Sequence, residues 1–179
     1  MNLVNVPKIL QELHGENTTV LNICLVYVVG LAAAILSMLE LIPKNIEVWK
    51  LVLIFILFID IAGGVISNMT FATNQYYQKR PKLKIVFIVA HIIQPFLLSI
   101  MFMENWHYIL FVYLLTMSAC IVLIQIKKSD LQRVIGSVFL IAGVFGATYL
   151  FKVDLASIMV IGILYMIKLI LGFSVKKDA

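Results

Sequence analysis

Three ionisable side chains lie deep inside long apolar stretches of this sequence: Asp60, His91 and Lys168. A charged or titratable group at the centre of a lipid bilayer costs several kcal/mol unless it is paired, hydrated or neutralised. Each of these residues therefore needs a partner, and their surroundings are where a binding or catalytic site is expected. The neighbouring residue types indicate which chemistry such a site could perform.

Asp60 belongs to a stretch that is polar and rich in small residues on one side only. Gly63 and Ser67 have the spacing at which membrane helices approach each other closely. The pattern predicts that this face lines a cavity or packs against protein. The simpler interpretation is helix packing alone, with Asp60 hydrogen-bonded to a neighbouring helix. At about 100° per residue, the face is about 140° wide and holds Asp60, Gly63, Gly64, Ser67, Asn68 and Asn74.

His91 shares a helical face with Gln94 and Pro95. Because proline has no backbone N–H, it cannot donate to the carbonyl four residues earlier, which belongs to His91. Broken backbone at membrane depth is tolerated where it is buried in protein or lines water. We therefore predict a bent helix that leaves the His91 carbonyl as a free acceptor. The simpler alternative is an ordinary proline kink with one hydrogen-bonded histidine.

The depth of these residues in the membrane predicts a shared site. At a rise of about 1.5 Å per residue from the predicted cytoplasmic ends, His91 lies about 12 Å deep and Asp60 about 17 Å deep. This predicts one polar pocket between the second and third membrane helices, reached more easily from the cytoplasm. Lys168 is predicted to snorkel to the cytoplasmic headgroups, the alternative being that it reaches His91 or a carboxylate. The candidate ligand-binding residues are Asp60, Gly64, Asn68, His91, Gln94 and Lys168.

Several other kinds of site are not indicated. Asp60 and His91 supply two metal ligands, whereas a metal site needs three or four convergent ones, so we predict no metal. The sequence contains no HExxH, CxxC or GxSxG motif and no glycine-rich phosphate loop after a strand. No motif points to a particular cofactor. A Ser–Lys dyad with Lys168 has no motif to support it either.

Membrane-spanning helices must position these side chains. Hydrophobic residues make up 63% of the 179-residue chain and charged residues 13%, and the mean hydropathy is +1.06. A spanning helix needs about 20 mostly apolar residues, and the unbroken apolar runs exclude the alternating pattern of barrel strands. The predicted fold class is all-α, a single integral membrane domain over residues 1–179. The six predicted spans are about 20–42, 48–71, 83–103, 106–126, 131–151 and 155–175.

The distribution of basic residues predicts the orientation, because cytoplasmic loops are enriched in Lys and Arg. One set of loops holds ten of them, and the opposite set holds three, namely Lys44, Lys50 and Lys152. We therefore predict a protein of the cell membrane with both termini in the cytoplasm. Without a soluble domain, the net charge of +5 does not indicate nucleic-acid binding. Residues 1–18 are predicted to contain a short interfacial helix that opens at Pro7 and ends at Gly15.

In size and predicted topology the chain is similar to the six-helix substrate-binding subunits of energy-coupling-factor vitamin importers, a likeness of architecture without a shared motif. Three classes of function remain. The favoured class is binding or transport of a small molecule or ion, because the pocket is rich in amide and carboxylate groups and poor in nucleophiles. The second is an intramembrane lipid-modifying enzyme with His91 and Asp60 as acid–base pair. The third is an accessory or immunity-type subunit. Besides the lipid bilayer, the predicted partners are a small ligand, a second copy of the chain or another membrane subunit.

Overall fold

The protein is a multi-pass membrane protein built from long apolar helices. The computed structural model describes residues 3–177, and within that range six helices are long and apolar enough to cross a membrane. They confirm the six predicted spans, with each end shifted by at most three residues. The spans are Val20–Lys44, Val48–Met69, Pro81–Met101, Met103–Gln125, Ser129–Tyr149 and Ala156–Ser174.

The helices follow one another with short connections. They are α1 (Gln11–His14), α2 (Val20–Leu41), α3 (Val48–Met69), α4 (Phe71–Gln78), α5 (Pro81–Ala90), α6 (Ile93–Met101), α7 (Trp106–Gln125), α8 (Ser129–Tyr149) and α9 (Ala156–Met166). Single 3₁₀ turns cover Lys8–Leu10, Ile42–Lys44 and Met103–Asn105. The last span is α9 together with a π-helical segment, Ile167–Ser174, that continues it. Thr19 and Thr70 accept hydrogen bonds from backbone N–H groups in the first turns of α2 and α4, which explains where those helices begin.

The N-terminal segment contains two strands in addition to the predicted short helix. A 3₁₀ turn and α1 occupy that stretch and end at Gly15, whose φ is 74°. Two strands that the sequence did not predict, β1 (Leu3–Asn5) and β2 (Asn17–Thr19), pair antiparallel on either side of it. Strands of three residues carry too little alternation to be recognised. The placement of this segment at a membrane interface stays a prediction.

The pair of α2 and α3 is the most extensive helix contact in the described chain. A Cβ atom on Gly30 would lie 2.8 Å from the backbone oxygen of Ile59, and one on Gly63 would lie 2.9 Å from that of Val26. Only glycine permits backbones to approach this closely. The small residues of the polar face of α3 therefore do pack against protein.

Both ends of the described chain lie at the same end of the bundle. Thr73 Oγ1 donates to the carbonyl of Leu13 at 2.9 Å, and Arg80 forms a 2.7 Å ion pair with Glu16. From the other terminus, the carbonyl of Val175 accepts a hydrogen bond of 2.9 Å from Asn74 Nδ2. These contacts centre on α4 and the α4–α5 connection, as an even number of crossings requires.

Glu40 of α2 caps the start of α9, which has no capping side chain of its own. Its two carboxylate oxygens accept from the backbone N–H groups of Ala156 and Ser157, each at 2.7 Å, and from the Ser157 hydroxyl at 2.5 Å. A carboxylate at a helix N-terminus satisfies otherwise unpaired donors and complements the helix dipole. This contact therefore holds the start of α9, in the sixth span, against α2, in the first span.

Replacing Glu40 by alanine should therefore lower the free energy of unfolding by about 1–2 kcal/mol, since a cap and a favourable charge are lost together. Unfolding in mixed micelles, followed by circular dichroism, measures this loss. Glu47→Ala is the matched control, because Glu47 precedes α3 without capping it and its exposed contacts with Lys50 and Trp49 are worth about 1 kcal/mol or less. Equal losses for the two variants would show that the cap does not stabilise the bundle.

Candidate functional site

Three helices contribute to an ion-paired cluster inside the membrane-spanning region. The ammonium of Lys168, in the π-helical segment, lies 3.1 Å from Asp60 Oδ2 and donates to the Asp60 carbonyl at 3.3 Å. Gln94 Nε2, on α6, donates to the same Asp60 Oδ2. Asp60 stands on α3, so one carboxylate links the second, third and sixth spans.

The prediction that Lys168 snorkels to the headgroups is wrong. Its side chain is 3% exposed and lies against Asp60. Gly64 leaves room for the Lys168 side chain, because a Cβ atom on Gly64 would lie 2.8 Å from Lys168 Nζ and 3.0 Å from Lys168 Cδ. The lysine chain thus fills the space beside Gly64, where the sequence predicted an open pocket. The buried position is more stable than the snorkelled one because the Asp60 carboxylate, within the bundle, balances the ammonium charge without moving it to the headgroups.

The Lys168 and Asp60 side chains differ in exposure, and two acceptor oxygens of the cluster have no hydrogen-bond partner in the described structure. The Asp60 side chain is 49% exposed, and within residues 3–177 no hydrogen bond reaches its Oδ1. Gln94 Oε1 is buried without a hydrogen-bond partner in the described structure. A carboxylate oxygen and an amide oxygen on neighbouring side chains can both accept hydrogen bonds. The cluster is therefore short of donors.

His91 lies beside this cluster and forms neither a hydrogen bond nor an ion pair with Asp60 in the described structure. Its Nδ1 is 2.6 Å from the carbonyl of Phe87, and its ring packs against that phenylalanine. The helix breaks here, with α5 ending at Ala90 and α6 beginning at Ile93. The helix is thus interrupted as predicted, and the His91 carbonyl, to which Pro95 cannot donate, accepts from the Tyr165 hydroxyl at 2.9 Å. That His91 and Asp60 belong to one site stays a prediction.

Asn68 lies nearer the end of α3, where it holds the π-helical segment. Its Nδ2 donates to the carbonyl of Lys168 at 3.4 Å, and its own carbonyl accepts from Lys177 Nζ at 2.5 Å. Cys120 Sγ donates to the next carbonyl, that of Leu169, at 3.8 Å. In a π-helix each carbonyl bonds to the N–H five residues on, and such segments often mark a functional position. Here side chains from α3 and α7 add hydrogen bonds to two of these carbonyls.

The predicted site residues therefore divide into two groups. Asp60, Gly64, Gln94 and Lys168 come together, whereas His91 and Asn68 adjoin the cluster and support the backbone around it. Two further residues were not among the candidates. Tyr165 lies about one turn before Lys168, and that spacing could have indicated it. Glu40 is the one carboxylate within the predicted first span. Because it lies close to the end of that span, where charged residues are common, the sequence did not indicate that it caps α9.

Two surface grooves lie away from the cluster. One, of about 540 Å³, is lined by residues that include Phe58, Glu40 and Ser157. The other, of about 460 Å³, lies at the opposite end of the bundle beside Tyr77 and Lys84. Neither groove is lined by Asp60, Gln94 or His91.

The cluster places hydrogen-bond acceptors beside a buried ammonium. Its negative charge is balanced by Lys168, its buried amide oxygen is unpaired, and its carboxylate is half open. It offers no nucleophile in contact with an acid–base partner. Comparison of the chain with protein-family models, curated proteins and solved structures finds no significant match.

Proposed function

We propose that this membrane protein binds, and moves across the bilayer, a small solute that donates hydrogen bonds to Asp60 and Gln94. The observation that carries the proposal is the pair of unused acceptors, Asp60 Oδ1 and the buried Gln94 Oε1. A buried polar atom without a partner costs about 1–3 kcal/mol, and a donor from a ligand would remove that cost. The ion pair with Lys168 holds the Asp60 carboxylate in position.

The same contacts define the class of solute. Both unused atoms are acceptors, so an anion would add a third acceptor and gain nothing from them. An ammonium or amine cation, or a neutral amide, presents two or more N–H donors on a small centre. We therefore favour small amine-type or amide-type solutes, since the charges of Lys168 and Asp60 offset each other.

Flux into proteoliposomes tests the proposal with radiolabelled methylammonium as the cation and urea as the neutral amide. The protein should carry at least one of the two faster than protein-free liposomes do, with saturation. Asp60→Asn and Gln94→Met should each reduce the flux about tenfold or more, since a hydrogen bond to a charged group is worth about 1.5–3 kcal/mol. Asp130→Asn, the same change at an exposed position, should leave the flux unaltered. Absence of saturable flux of both solutes would contradict the proposal.

The half-open carboxylate also favours a second function, in which a donor on a partner helix contacts Asp60. A second copy of the chain or another membrane subunit could supply it. Cross-linking from cysteines placed beside Asp60 would then trap a complex in the membrane, and flux would be absent. The enzyme class draws no support from the contacts, because His91 and Asp60 are not hydrogen-bonded to each other.

We further propose that both termini face the cytoplasm in the cell membrane, on the basis of the ten-to-three distribution of basic residues. In a variant lacking Cys24 and Cys120, Lys82→Cys should be protected from an impermeant thiol reagent in intact cells. Lys152→Cys, at the opposite end of the bundle, should react under the same conditions. The reverse pattern of labelling would mean that the orientation is inverted.

A further inference from the structure

The groove of about 460 Å³ between α4, α5 and α7 combines basic and apolar side chains. Lys84, Lys176 and Tyr77 line it together with Ile85, Ile88 and Ile124. Its volume is within the range of small-molecule sites, about 300–1,000 Å³. Basic grooves between membrane helices are a usual setting for anionic headgroups.

The two lysines of this groove are not neutralised by the described protein. Neither Lys84 nor Lys176 forms an ion pair with a carboxylate within residues 3–177. The Lys84 ammonium has one long contact, 3.5 Å to the carbonyl of Ser174, and lies 5.6 Å from the Phe173 ring. Two like charges placed in one groove repel each other unless an anion lies between them.

Tyr77 provides a second and independent observation. Its residue is 2% exposed, and its ring packs against Phe87 and Phe173 with centroids 4.9 Å and 4.8 Å away. The hydroxyl is buried without a hydrogen-bond partner in the described structure. Burial raises the pKa of Tyr77, so the hydroxyl stays a donor. A buried donor on a residue that lines the groove, with no acceptor in the described structure, can bind a phosphate oxygen.

We propose that this groove binds one anionic phospholipid, with its phosphate between Lys84, Lys176 and the Tyr77 hydroxyl. The acyl chain lies along the isoleucines of α5 and α7. A lipid fits better than a soluble phosphate because the groove also presents exposed isoleucines to an acyl chain, Ile85 being 56% and Ile124 40% exposed. The groove also lies at the end of the bundle that carries most of the basic residues, where anionic lipid is attracted most strongly.

Native mass spectrometry of the detergent-solubilised protein tests this with phosphatidylglycerol, phosphatidylcholine and inorganic phosphate as probes. Phosphatidylglycerol should be retained in preference to phosphatidylcholine. Lys84→Gln/Lys176→Gln should weaken its binding about 30-fold, the effect expected from losing two lysine contacts to an anionic headgroup. Lys79→Gln/Lys82→Gln removes the same charge from exposed positions outside the groove and should change binding little. Equal losses in the two double variants would overturn the proposal.

Tyr77→Phe separates binding from packing, because it keeps the ring and removes only the hydroxyl. Without anionic lipid, the variant should melt at the same or a higher temperature, since a buried unpaired donor has been removed. Its binding of phosphatidylglycerol should nevertheless weaken several-fold. Unchanged binding would overturn the role of Tyr77, and displacement of the lipid by inorganic phosphate would overturn the lipid as the ligand.

Discussion

Replacing Asp60 by leucine is expected to lower the free energy of unfolding by about 3 kcal/mol or more. The reason is that the ammonium of Lys168, whose side chain is 3% exposed, would lose its carboxylate. Removing one member of a buried ion pair costs about 3–5 kcal/mol, because the remaining charge is left uncompensated. Unfolding in mixed micelles measures the loss. Asp130→Leu, at a carboxylate that is 93% exposed, should cost about 1 kcal/mol or less.

Removing the other partner should cost less. Lys168→Met leaves a carboxylate whose side chain is 49% exposed and still accepts from Gln94, so it is less isolated than a buried, unpaired ammonium. The double variant Asp60→Leu/Lys168→Met should recover most of the stability lost in Asp60→Leu, because it leaves no charge unpaired. If the two single losses simply add in the double variant, the pair does not contribute to folding as a unit.

Gly64→Ala is expected to destabilise the protein by about 1–3 kcal/mol, the usual cost of overpacking. The new methyl group would lie against the Lys168 chain, 2.8 Å from Nζ and 3.0 Å from Cδ. A lysine chain can normally move aside, but here Asp60 holds its ammonium at two oxygens. The clash must outweigh the gain in helix propensity, which is about 0.5–1 kcal/mol for alanine over glycine.

Two comparisons test this explanation for Gly64. Gly136→Ala is a matched control, because the nearest atom to its new Cβ is a leucine methyl at 3.1 Å, which can shift without breaking an ion pair. It should be neutral or slightly stabilising. In a Lys168→Ala background, Gly64→Ala should lose its penalty, since the lysine chain is gone. The same penalty in both backgrounds would mean that the clash is with the backbone and not with Lys168.

Local features of the sequence were sufficient to predict the six spans. A run of about 20 apolar residues satisfies its backbone hydrogen bonds within its own helix, so its existence does not depend on neighbours. The bend between α5 and α6 was predictable for the same reason, because Pro95 withholds a donor from the carbonyl of His91 wherever the helix packs. The residue that would satisfy that carbonyl, Tyr165, could not be predicted, since it comes from another helix.

The candidate site was predictable in part. Asp60, Gly64 and Gln94 were identified from the polar face that each helix presents, and the structure brings them together. The hydrogen-bond partners of His91 and Asp60 were not predictable, because similar depth in the membrane does not set the direction in which two side chains point. The π-helical segment Ile167–Ser174 was not predicted either, because apolar residues in this run do not distinguish its wider turns from those of an α-helix.

The sequence by itself thus determined the class of protein, its helices and the residues that require partners, because each of these follows from the cost of placing polar groups in a bilayer. The tertiary structure decided which partners they have. Lys168 lies at Asp60 because Gly64 leaves room for its chain and because α3, α6 and the π-helical segment meet there. Rotation and close approach of helices depend on packing across the whole bundle, which no local spacing of residues specifies.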